Sequence, residues 1–209
     1  MPYLLNNLPR VAELFGQHLL LTVSALALAV LLGIPLGVVI YRIQPLRGPV
    51  LAVLSVIYTI PSLALLVLLI PLTGLSSWTA IIVLIAYAQL VLVRNTLVGL
   101  SGVDPAVVEA ARGMGMNDWQ RLLRVELPLA SPVILAGVRL ATIAIIGIGT
   151  VAAFISAGGL GVLLFEGVRT SNYDKIVAGA IAVSLLAIGM NWILRTLEKR
   201  ASMRVRGEA

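Results

Sequence analysis

The chain has 209 residues, of which 60% are hydrophobic and only 11% charged, and its mean hydropathy is +1.06. A soluble domain carries about 25% charged residues, so a chain this apolar cannot cover its surface with polar groups and reads as an integral membrane protein. With no Cys and one His it has no disulfide framework, thiolate nucleophile or Cys/His zinc site, and its net charge of +6 lies between apolar runs, unlike the basic stripe of a nucleic-acid reader.

A membrane helix needs about 20 apolar residues. Arg10 is the only early basic residue, and the run after it is longer than the core of about 7–15 residues in a signal peptide, so it reads as an uncleaved span. Residues 19–41 form that first span. Gly33-x-x-x-Gly37 flanks Pro35 in it and predicts a packing notch and a kink rather than a dimer face. His18 is expected as an interfacial imidazole at the outer surface. The charge-free stretch 48–93 is divided by Pro71-Leu72-Thr73-Gly74-Leu75-Ser76-Ser77, which has turn chemistry, giving spans at 49–70 and 75–96. Pro61 breaks the second span where a moving part would need a hinge. With Tyr58, Thr59 and Ser62 it either lines a pathway or packs against lipid and helices. Tyr87 lies deep in the third span, and Asn95 either faces the pathway or caps that helix.

The fourth span covers 132–156 and the fifth 176–194. In the fourth, Gly147-x-Gly149-x-x-Ala152 imitates a dinucleotide fingerprint, but no strand precedes it and no acid follows at the right distance, so it predicts helix packing. Arg139, about two turns into this span, reads as snorkelling to the interface. The chain thus divides into an extracytoplasmic segment 1–16, a transmembrane domain 17–197 and a basic tail 198–209.

Five spans put the termini on opposite sides. With the N-terminus outside, only Arg10, Arg169 and Lys175 of the 15 basic residues are external. Positive charge therefore selects N-out, C-in. The one sizeable inward loop is 98–131. Asp104-Pro105 is a helix start, Gly113 and Gly115 interrupt the helix, and Asn117 with Gln120 resembles a capping box that opens a second one. Trp119, Leu122 and Leu123 share a face of that helix, and Leu127-Pro128 is expected to end it.

Glu109-Ala110-Ala111, then Gly115, Val125 and Leu127-Pro128 at fixed spacing, resemble the EAA loop of bacterial ABC importer permeases, with Val for the usual Ile. Four further stretches resemble the branch for glycine betaine, choline and carnitine. These are His18-Leu19, then 58–64 (Tyr-Thr-Ile-Pro-Ser-Leu-Ala), then Arg94-Asn95-Thr96 with Gly99 and 102–105, and finally Ala157-Gly158-Gly159-Leu160-Gly161. Ser156 stands where that last motif has Gly.

The resemblance implies an all-α type I permease in a prokaryotic inner or plasma membrane. It implies a second permease chain, expected as a homodimer, two separate ATPase subunits that hold ATP and Mg, and an extracytoplasmic substrate-binding protein. Glu109, Ala110, Ala111, Gly115, Leu127 and Pro128 become the residues that couple ATPase closure to the membrane helices. No cofactor is expected on this chain, which has no phosphate loop: neither Lys175 nor Lys199 follows a Gly. The alternatives are a permease for another small solute such as an amino acid, an ion-coupled secondary transporter, a membrane enzyme and a passive scaffold. Ion coupling wants an ionisable group inside the membrane, and all nine acids fall outside the five apolar stretches. An enzyme would need a nucleophile–His–acid or metal constellation, which the sequence lacks.

Overall fold

A computed structural model describes residues 2–206. Every regular element among them is helical: α1 (Pro2–Asn6), α2 (Leu8–Arg42), α3 (Arg47–Thr59), α4 (Ser62–Thr73), α5 (Ser77–Ser101), α6 (Pro105–Gly113), α7 (Asp118–Arg121), α8 (Leu127–Gly149), α9 (Gly161–Arg169) and α10 (Tyr173–Arg206). A π-helical stretch, Leu122–Glu126, leads into α8, and a 3-10 stretch, Thr150–Ile155, follows it.

Four helical runs are long and apolar enough to cross a membrane, and α3 with α4 makes a fifth only as a pair bent by 98°. The second span of 49–70 is therefore two half-helices. The cause is local: Ile60 and Pro61 are both extended (ψ 130° and 132°), because a proline drives its predecessor out of the helical region. The other helices outrun their apolar stretches, so Glu13, Glu126 and Glu198 lie on the ends of spanning helices rather than outside them. Each is paired: Glu13 with Arg10, Glu126 with Arg121, and Glu198 with Arg139.

The core is a seam of small residues. Ala25 and Ala29 of α2, Ala88 of α5 and Ala141 of α8 are fully buried beside Leu84, Leu92 and Ile145. Lipid tails are as apolar as leucine, so helices in a bilayer associate through close backbone approach rather than hydrophobic burial. The expected Gly33/Gly37 notch takes this part. A Cβ on Gly33 would lie 2.9 Å from Leu92 Cβ, and one on Gly37 2.5 Å from Thr96 Cβ. Large residues face outward instead, among them Leu20, Leu31, Leu68, Leu72, Ile188 and Trp192. An exposed apolar belt of this extent fits lipid and protein partners, not water.

Candidate functional site

The loop between α5 and α8 is a pair of well-capped helices. Asp104 accepts a hydrogen bond from the Ala106 amide at 2.8 Å, and Pro105 opens α6. At the far end, the Met116 amide donates to the Ala111 carbonyl and the Gly115 amide to the Arg112 carbonyl (3.2 and 2.9 Å). This is the paired closure of a Schellman motif, and it needs the left-handed residue that Gly115 supplies at φ 80°. The capping box at α7 is reciprocal, the Gln120 amide donating to Asn117 Oδ1 and the Asn117 amide to Gln120 Oε1.

The predicted coupling residues divide by exposure. Glu109 and Ala110 lie open on α6, Glu109 with only a 3.8 Å ion pair to Arg112, whereas Ala111 is buried beneath them. Val107, Met114, Trp119 and Leu123 add exposed apolar surface around the corner. The loop thus presents an exposed, well-capped face of small, apolar and charged groups.

Leu127-Pro128 does not end a helix, contrary to expectation. The chain continues through it into α8. The preceding π stretch, in which the Leu127 amide reaches back to the Leu122 carbonyl, carries the register change, and Pro128 sits in the first turn, where its missing N–H is tolerated. π segments of this kind occur often at functional positions.

Sequence reasoning missed what ties the loop to the spans. Glu126, 1% exposed, accepts from Arg121 Nε at 3.0 Å and lies 3.7 Å from Arg42 at the end of α2. Arg42 also donates to the Asp118 carbonyl at 2.8 Å. A buried carboxylate must be paired to be tolerated, and its two arginine partners come from the loop and from the end of the first span. The signal available was the acid itself, placed between two arginines and an apolar run.

The predicted pathway residues come together only in part. The rings of Tyr58 and Tyr87 meet at 5.8 Å with a 57° tilt, beside the Pro61 break. The Tyr87 hydroxyl donates to the Ile60 carbonyl, a group that the break leaves without a helical partner. Tyr58, Thr59 and Pro61 are exposed and Ser62 is half-buried. Asn95 is elsewhere, about 12 Å further along α5. It neither caps that helix, which runs on to Ser101, nor joins the tyrosines. It donates to the Val91 carbonyl at 2.8 Å and packs against Gly137 of α8.

Two other expectations change. His18 is fully buried rather than interfacial. Its Nδ1 accepts from the Leu160 amide at 3.3 Å, and its Nε2 lies 3.1 Å from the Ile146 carbonyl. Gln17 accepts alongside from the Gly159 amide at 3.1 Å. Arg139 does not snorkel free. It pairs with Glu198 at 2.8 Å and donates to Asn191 at 3.2 Å, both on α10. The reason is that α10 extends as helix beyond its apolar stretch and brings Glu198 within reach.

Residues 29–203 match a family model described as the inner membrane component of binding-protein-dependent transport systems. The chain is similar to the osmoprotectant import permease protein OsmW of Salmonella typhimurium, 43% identical over 94% of each chain. It is also 40% identical to the carnitine transport permease protein OpuCB of Listeria monocytogenes, over 92% of this chain and 88% of that one. A third relative, the choline transport system permease protein OpuBB of Bacillus subtilis, is 40% identical over 88% and 85%. Among solved structures, an inward-facing MetNI methionine ABC transporter superposes with a TM-score of 0.84 at 22% identity, covering 91% of this chain and 95% of that one.

Proposed function

Because the chain belongs to the family of inner membrane components of binding-protein-dependent transport systems, we propose that two copies of it form the pathway of an ATP-driven importer for quaternary ammonium solutes. It is a multi-pass transport subunit of an ABC importer, not an enzyme. The cargo is glycine betaine, carnitine or choline, and the observation that carries this is that relatives 37–40% identical along most of the chain are named as permeases for carnitine, for choline and for glycine betaine, carnitine and choline together.

The termini lie outside and inside respectively, so the loop between α5 and α8 faces the cytosol. There α6 seats in a groove of a partner ATPase through Glu109, Ala110, Ala111 and the Gly115 corner. Movement of that helix reaches the membrane by two routes. One is covalent, through the π stretch and the Leu127-Pro128 start of α8. The other is electrostatic, through Glu126 to Arg42 and hence α2. The half-helices α3 and α4 provide discontinuous structure within the membrane, where transporters commonly place their solute path. Tyr58, Thr59, Pro61, Ser62 and Tyr87 line it there, while Asn95 supports α5 against α8. The partner ATPases hold ATP and Mg, and an external binding protein delivers the solute.

The test is ATP hydrolysis by the assembled permease–ATPase complex in liposomes, stimulated by binding protein loaded with glycine betaine. Gly115→Val forces a β-branched residue to φ 80°, where L side chains are strained. The expected outcome is normal membrane insertion with stimulated hydrolysis reduced about tenfold or more. Full stimulation in the variant would remove the loop from the coupling role.

A further inference from the structure

Only three phenylalanines occur in the chain, and two of them, Phe154 and Phe165, meet at 6.1 Å with a 58° tilt. Phe154 comes from the 3-10 stretch after α8 and Phe165 from α9. They are 57% and 41% exposed, although their neighbours Ile155 and Leu163 are buried. Both rings line one cavity of about 660 Å³ together with Ser156, Glu166 and Arg169. A second cavity, which shares Ser156 and Gly158 with it, continues past Gln17 and Ser24. Polar groups on the walls of both distinguish them from surface that merely faces lipid tails.

The charges in the first cavity are not balanced. Glu166 is engaged by Lys175 at 3.2 Å, and Lys175 also sits over the Tyr3 ring at 5.5 Å. Arg169 is exposed and makes no hydrogen bond or ion pair among the described residues. The cavity therefore offers two phenyl faces without a cation and one guanidinium without an anion. Phenyl faces attract quaternary ammonium groups, and guanidinium binds carboxylate through paired donors.

We propose that this cavity is a binding site for zwitterionic quaternary amines, with the trimethylammonium group against Phe154 and Phe165 and the carboxylate on Arg169. The assignment rests on the importer reading and adds to it a basis for selectivity. Glycine betaine and carnitine satisfy both halves of the site. Choline lacks the carboxylate and meets Arg169 as a like charge, so the site disfavours it. The 3-10 stretch that carries Phe154 contacts α4, and its Ala152 and Ile155 belong to the same buried cluster as Leu66. Occupancy is thereby adjacent to the broken span that lines the proposed path.

The test is saturation-transfer NMR on the N-methyl signal of glycine betaine or choline. The protein is the permease–ATPase complex, without binding protein, in nanodiscs of phosphatidylglycerol and phosphatidylethanolamine, whose headgroups carry no trimethylammonium. Glycine betaine should receive saturation from the native complex. Replacing both rings with leucine (F154L/F165L) keeps apolar volume but removes the π faces, and should lower the signal about fivefold, whereas F154Y/F165Y should retain it. Arg169→Gln should lower the glycine betaine signal and raise that of choline, and Arg169→Lys should preserve the native order. Size-exclusion elution of each complex reports that it remains assembled. Full signal from the leucine pair, or equal loss of both ligands with Arg169→Gln, would overturn the site. So would no signal from either ligand on the native complex, and in that case ATP-dependent uptake of glycine betaine would still stand or fall separately.

Discussion

His18 joins three parts of the chain through one side chain. The Leu160 amide can only donate, so Nδ1 is the bare nitrogen and Nε2 carries the proton that goes to the Ile146 carbonyl. The adjacent turn needs its glycines. Gly158 and Gly159 have φ of 78° and 81°, and a Cβ on Gly159 would lie 3.0 Å from His18 Nδ1. Ser156 has φ 62°, which explains why a glycine would suit that position and why serine there carries some backbone strain. His18→Ala removes both hydrogen bonds and leaves two buried main-chain groups unpaired, at about 1–3 kcal/mol each. The thermal midpoint of the assembled complex should fall by several degrees, and His18→Phe, which restores volume alone, should not recover it. Recovery with phenylalanine would make the residue a matter of packing. The sequence showed this histidine at the start of an apolar run, but its partners lie more than a hundred residues away, and no local pattern encodes that distance.

At the scale of elements, the informative features are interruptions. The break at Ile60-Pro61 was legible because proline acts on its own neighbours. The 98° turn was not, since a bend angle depends on what α4 packs against, here Leu66 with the core beside α5. The loop between α5 and α8 was legible in its caps for the same local reason, down to the capping box. Its end was not legible, because Leu127-Pro128 has the composition of a stop, whereas the π stretch before it leads the helix on into α8. If the bend at Pro61 is required for transport, Pro61→Ala should allow α3 and α4 to merge. Glycine betaine uptake should then fall about tenfold or more while the protein still inserts. Uptake at the native rate would show that the straightened span works as well.

On the whole molecule, the spans pack by close approach along a seam of alanine and glycine, and the large apolar side chains are left for lipid and for other subunits. That division was readable from composition, because 60% hydrophobic residues cannot all be interior. The Arg42–Glu126–Arg121 group links the loop between α5 and α8 to the first span and was not readable, since the charges come from three separate elements. We propose that this architecture moves a quaternary ammonium solute with energy from ATP. Such transport is tested most directly by uptake of labelled glycine betaine into liposomes that hold this chain with its partner ATPase, with ATP inside and binding protein outside. ATP-dependent accumulation that carnitine competes away is the predicted result. No accumulation, in vesicles where binding protein loaded with a different solute still stimulates ATP hydrolysis, would contradict the assigned cargo.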